Sequence, residues 1–253
     1  MTPSSPCRRR HGFTLLELAI ALVIVALLAS SLALPLAAQL QMRRYDETRR
    51  MLEEARDALL GFAVAHGRLP CPAAAATGDE SFAPGGDPGN GRCANFYGGF
   101  LPAAALGLSG VDPDGFLRDA WGTVGNRIRY AVHGGAIAGV ENALTRANGL
   151  QVAGLPALGA APHYLMVCST GAAASAGSCG PAANQLTRRA AFVLVSTGPN
   201  GGLVAAPASD EARNLDGDLV FVAREQSDEF DDLLQWTAIH QLVNRMLVAG
   251  RLP

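Results

Sequence analysis

Hydrophobic and polar positions divide this chain into three regimes. Residues 18–38 form a run of 21 positions without a charge. As a helix rising 1.5 Å per residue, such a run is about 31 Å long, enough to cross a bilayer core. Residues 39–65 keep helical spacing but become amphipathic. Leu52, Ala55, Leu59 and Phe62 recur at three- and four-residue intervals, and Arg49–Glu53 and Arg50–Glu54 stand at i,i+4. Pro35 interrupts the apolar run, and Gly67 and Pro70 end the helical pattern. The first two regimes predict one helix from Phe13 to about His66.

The third regime changes period. Residues 73–99 hold seven Gly with Pro84 and Pro88 and no periodicity, and predict a long surface loop, a candidate contact surface. In 126–132, Ile128, Tyr130 and Val132 alternate with Arg127 and Arg129, the pattern of a half-buried strand. Segments 163–169, 190–197 and 217–224 read as further strands, 140–147 as a short helix, and 233–249 as a helix with Asp228 as its N-cap. The expected class is α+β: a long N-terminal helix, half of it transmembrane, packed on an antiparallel sheet of about four strands. The expected organisation is a leader over 1–12, a membrane span over 13–38, an amphipathic extension over 39–66 and a globular head over 67–253.

Charge orients this arrangement. Arg8, Arg9 and Arg10 precede the apolar run and stay cytoplasmic under the positive-inside rule, which places the head outside the inner membrane. The whole chain carries −2; residues 1–12 hold three Arg, so the chain beyond them has 17 basic against 22 acidic side chains, a net of −5. An acidic head lacks the concentrated basic face that nucleic acid requires, so no nucleic-acid partner is expected. No G-x-S-x-G, H-E-x-x-H or phosphate-cradling glycine loop occurs, and the His residues are scattered; an enzyme is not expected.

Cysteine usage fits an oxidising compartment. Cys7 precedes the apolar run, and Cys71, Cys93, Cys168 and Cys179 lie beyond it, four residues that allow three pairings. Cys71–Cys93 and Cys168–Cys179 are favoured because each pair brackets a local loop. A metal site is disfavoured, since no C-x-x-C spacing exists and no His stands beside these residues.

The junction Arg8-Arg9-Arg10-His11-Gly12-Phe13-Thr14-Leu15-Leu16-Glu17 puts a carboxylate at the head of the apolar run, where an unpaired charge is expensive. A secretory signal peptide has a shorter apolar core and a small-residue cleavage site, a lipoprotein signal needs Cys after the core, and a plain anchor leaves Glu17 unexplained. Residues 8–38 resemble the prepilin signature of type IV pilins and the pseudopilins of type II secretion systems. The resemblance implies cleavage by prepilin peptidase between Gly12 and Phe13, N-methylation of Phe13, and an assembly role for Glu17. It implies a single-pass subunit of the Gram-negative inner membrane, with its head in the periplasm and its filament in the periplasm or on the cell surface. Its partners are then prepilin peptidase and other pilin or pseudopilin subunits. A pseudopilin or minor pilin is the first expectation. A surface pilin with an adhesive or DNA-binding head, or a simply membrane-anchored periplasmic protein, is the alternative.

Two further stretches resemble major pseudopilins: Asp119-Ala120-Trp121-Gly122, and the turn Ser196-Thr197-Gly198-Pro199-Asn200-Gly201. In that family an acidic calcium loop follows the turn and ends in Asp-Ile-x-x-Trp, a shape shared by Asp232-Leu233-Leu234-Gln235-Trp236. The resemblance makes Asp228, Asp231 and Asp232 calcium candidates. About thirty residues separate turn and acids here, however, and Asp228, Glu229, Asp231 and Asp232 are also explained as acids opening a helix. Both readings stand at this level; otherwise no cofactor is expected.

Overall fold

The computed structural model describes residues 14–160, 164–203, 206 and 209–252, and the side chains of these except 29–37 and 160. The chain divides into two compact units between Tyr45 and Asp46.

Helix α1 (Leu15–His66) begins in the first unit and ends in the second. It continues through Pro35 instead of breaking there, because a proline removes a single i→i−4 bond that a long helix survives. Within the second unit Thr48, Leu52, Ala55, Leu59 and Ala63 are each 2% exposed or less. The buried stripe passes through Ala63 where the sequence suggested Phe62. The Phe62 ring is half-buried and lies over His66, with centroids 4.0 Å apart. Gly67 closes the helix with a φ of +68°, a conformation that a side chain resists, and its N–H returns to the Ala63 carbonyl at 2.8 Å. Arg49 pairs with Asp46 at 3.7 Å, toward the preceding turn and not toward Glu53.

The head holds a six-stranded sheet: β1 (Gly99–Phe100), β2 (Arg129–Val132), β3 (Leu165–Cys168), β4 (Gln185–Ser196), β5 (Val220–Val222) and β6 (Leu233–Ala238). Four short helices complete it: α2 (Gly149–Ala153), α3 (Leu155–Ala160), α4 (Asp210–Arg213) and α5 (Ile239–Val248). Twelve-residue β4 is the spine, antiparallel to β2, β3 and β6. The sheet is mixed, because β5 runs parallel to β3. The expectation of about four antiparallel strands is thus corrected in number and in direction.

The strands added to that count are β1 and β6. The segment 233–249, expected as one helix, is split: Leu233–Ala238 pairs with β4, and helix begins only at Ile239. Leu234 and Trp236 pack on the cluster of Val193, Val195 and Phe221, so an available backbone and a buried face outweigh the helical spacing. Asp228 accordingly caps nothing and is exposed; the first amide of the helix region, at Ala238, is held by Gln241 Oε1 at 3.2 Å. The segment 140–147 forms turns in place of a helix.

Loop 73–99 is fastened at several points. Cys71 is bonded to Cys93, with Cα atoms 5.3 Å apart, and Cys168 to Cys179, at 5.5 Å. Buried Arg68 grips Glu80 through two nitrogens at 2.6 and 2.8 Å, and Glu80 also accepts the Cys71 amide at 2.9 Å. Thr145 donates to the Gly91 carbonyl at 2.7 Å.

Candidate functional site

Two places carry the candidate residues, the start of α1 and an acidic cluster in the head. Gly12 and Phe13 lie outside the described residues, whereas Glu17 lies within them. Thr14 and Glu17 form a reciprocal cap. The Glu17 amide donates to Thr14 Oγ1 at 3.2 Å, while Glu17 Oε2 accepts from the Thr14 amide at 3.2 Å and its hydroxyl at 3.1 Å. This is the S/T-x-x-E box that satisfies orphan donors at a helix start. The following apolar side chains face outward on every side: Leu15 is 88% exposed and Ile24, the least exposed of the large ones, 51%. A helix apolar all round needs a surrounding of protein or lipid. Among the described residues no helix is long and apolar enough to cross a membrane, and the described side chains of this run stop at Leu28 and resume at Ala38.

The acidic cluster is built from three separate segments. The turn after β4 contributes Gly198 and Asn200, α4 contributes Glu211, and the approach to β6 contributes Asp231 and Asp232. Oxygen atoms of Glu211, Asp231 and Asp232 all lie within 4.8 Å of one another. The Asp231 amide donates to Glu211 Oε1 at 2.9 Å, Asn200 Nδ2 to Glu211 Oε2 at 3.0 Å, and the Asn200 amide to Asp231 Oδ2 at 3.2 Å. Asn214 Nδ2 donates to Asp232 Oδ2 at 2.7 Å. Glu211 is 5% and Asp232 2% exposed. Burial, then the Glu211 charge, push the Asp231 carboxyl up to about 6. Burial is also the main cause that raises Asp232 to about 7, with Glu211 and Asp231 adding to it and Asn214 and Arg129 opposing it.

Residues 7–33 match the family model described as the prokaryotic N-terminal methylation motif. The start of this chain is a type IV pilin-like prepilin segment. The comparisons with curated proteins and with solved structures gave no match. The prepilin segment takes in Gly12, Phe13 and Glu17 and stops well short of the head.

The head must therefore be read from its own geometry. Of the three calcium candidates, Asp231 and Asp232 come together, while Asp228 is exposed and apart from them. Glu211 takes the third place. It carried no signal in the sequence beyond its charge, because its position depends on the folding of the inserted segment. The roughly thirty residues between turn and acids do not separate the two: Asn200 still reaches Asp231. A hard divalent cation fits this set. The donors are carboxylate oxygens, Asp231 Oδ1 is buried with no hydrogen-bond partner, and Gly198, at a φ of +58°, leaves open a space where a Cβ would lie 2.6 Å from that same oxygen.

Proposed function

We propose that this chain is a pilin-like structural subunit, a pseudopilin or minor pilin, of a type II secretion or type IV pilus filament. The observation that carries this reading is the prepilin segment at residues 7–33 with Glu17 at the head of the apolar helix. Prepilin peptidase cuts after Gly12 and Phe13 is methylated. The span from 13 to 38 then holds the subunit in the inner membrane until it enters the filament, with the head in the periplasm. The partners are the peptidase and other pilin or pseudopilin subunits. The role is structural and not enzymatic. Calcium is held by Asp231, Asp232 and Glu211, where it would offset buried negative charge and fix the turn after β4 against the entry to β6.

Support comes from the way the second half of α1 is built. Thr48, Leu52, Ala55, Leu59 and Ala63 are buried within the head, so the same helix that starts as the apolar segment ends as part of the head's core. The deciding experiment is N-terminal sequencing of the protein recovered from membranes. Methylated Phe13 is the expected first residue. A first residue at Gln39 or later would replace this reading with an ordinary signal peptide.

A further inference from the structure

We propose that the first half of β4 is a docking edge for an extended, acidic peptide segment of a partner protein. The segment adds to the sheet as a further strand beside residues 185–189 and sets its carboxylates among the arginines there.

The register of β4 exposes this edge. Ala190 pairs with Leu165 of β3 and with Ala238 of β6, so β3 and β6 lie on opposite edges of β4. Residues 193–195 pair with both β2 and β6, which are opposite for the same reason. β2 and β3 therefore follow one another along one edge. β6 covers the other edge from Ala190 to Ser196 only, because the chain turns into α5 at Ile239. Over 185–189 no strand among the described residues occupies that second edge. The backbone shows the vacancy. The Arg188 carbonyl accepts from the Tyr164 amide at 3.0 Å, on the β3 side. Strand backbone alternates, so the Arg189 amide points the other way, and it takes the Thr187 hydroxyl at 3.1 Å in place of a strand carbonyl. A free edge of this kind is a template for pairing with another chain. Two clefts open beside it: one of about 400 Å³ lined by Thr187, Trp236, His240 and Arg56, and one of about 200 Å³ lined by Arg189, Leu155, Leu158 and Val243. An added strand finds its specificity in such places for its side chains.

Charge selects the occupant. All 22 acidic side chains fall outside 142–209 and 233–253, the two stretches that supply α2, α3, β3, β4, β6 and α5. Those stretches hold Arg146, Arg188, Arg189, Arg245 and Arg251. Arg188 is exposed, and neither it nor Arg245 has an ion-pair partner among the described residues. Arg189 donates to the Leu158 and Gly159 carbonyls at 2.8 and 3.3 Å, which holds α3 beside the edge. Asp57 of α1, the acid beside the clefts, is already paired with Arg56 at 3.0 Å. A second copy offering the same edge would set arginine against arginine, and like charges directly opposite destabilise a strand pair. An acidic strand meets the same edge with opposite charge.

The test uses the full chain in detergent and a capped, dye-labelled hexapeptide of alternating Glu and Val. Binding is followed by fluorescence anisotropy and hydrogen exchange by mass spectrometry. The expected result is saturable binding, with exchange over 185–189 slowed about tenfold or more. The same peptide methylated at every amide nitrogen keeps its charge but cannot donate to a strand; it should bind about tenfold or more weakly. Lys in place of Glu in the peptide should abolish binding, and Arg188→Glu, at an exposed position, should weaken it about tenfold or more. The methylated peptide is read on the parent chain, so it decides the matter even where the variant folds poorly. A parent chain that does not bind the peptide, or binds the methylated form equally well, overturns strand addition, as does protection of a segment other than 185–189. Self-association of the parent chain with the same protection and no peptide assigns the edge to a second copy and overturns the acidic partner.

Discussion

Ser196 Oγ donates a hydrogen bond of 2.6 Å to Asp119 Oδ2 across 77 positions of sequence. Both residues are buried, and Asn126 joins them, donating to Asp119 Oδ2 at 3.0 Å and to the Gly198 carbonyl at 2.6 Å. The Asp-x-Trp-Gly stretch and the turn after β4 are thereby one polar unit. That unit holds the Gly198 turn in position against Asp231.

Removing one donor from a buried carboxylate should be costly. Ser196→Ala is expected to lower stability by about 1.5–3 kcal/mol, the range for hydrogen bonds to charged groups. Asp119→Ala orphans several donors at once and should cost more. Urea denaturation of both variants checks this, and an unchanged midpoint for Ser196→Ala would show that the bond contributes nothing net.

The disulfides close loops with sequence separations of 22 and 11. The chain-entropy relation gives about 3 kcal/mol for each. Cys71→Ser with Cys93→Ser, and Cys168→Ser with Cys179→Ser, should each lower the melting temperature by several °C. Peptide mapping without reductant should recover the two linked pairs, and cross-linked peptides in any other combination would contradict the structure.

His133 is 8% exposed, with its Nδ1 unpartnered and its ring 4.9 Å from that of Tyr164. Burial lowers its pKa from 6.5 to about 4. Between those values the unfolded chain binds a proton that the folded chain refuses, so stability falls as pH drops through that window. Each unit is worth about 1.4 kcal/mol, which sets an upper limit of about 3 kcal/mol for this residue. His133→Phe should flatten that part of the pH–stability curve, measured by thermal unfolding between pH 4 and 7. A slope as steep in the variant as in the parent would assign the effect to other groups.

Glu17 has its own cap in the single chain, so its carboxylate is hydrogen-bonded before any assembly. An uncompensated acid in the apolar layer costs on the order of 2.5–3.5 kcal/mol, and under the proposed function the amine that cleavage would leave at Phe13 of a neighbouring subunit is the cation that would complete its pairing. Glu17→Leu is expected to insert and be cut after Gly12, yet to be lost from sheared filaments relative to total membrane protein. Normal incorporation of Glu17→Leu would leave a plain membrane anchor as the better account of the N-terminus.

Under the proposed processing, replacing Gly12 by a bulky residue should leave full-length precursor in the membrane, because a Cβ would obstruct close passage of the backbone through the peptidase. Immunoblotting for the size of the product reads the result.

Much of the molecule is legible locally. The start of α1 is set by Thr14 and Glu17, three residues apart; its end by Gly67; its buried stripe by spacing along one helix; the bridges by cysteines that bracket short loops. These features depend on neighbours within about one or two turns or one closed loop, so local pattern is enough to set them, along with the prepilin segment. The direction of β5, the pairing of β6 and the place of Glu211 depend on which distant strand supplies a partner. Leu233–Ala238 carries spacing compatible with helix, and only the presence of β4 beside it, with Val193 and Val195 to cover Leu234 and Trp236, made it a strand. Asp231 and Glu211 are separated by twenty positions and meet because α4 folds back across the turn after β4. Those choices belonged to the tertiary structure, since strand pairing and convergence of charges are satisfied between segments and leave no period within any one of them.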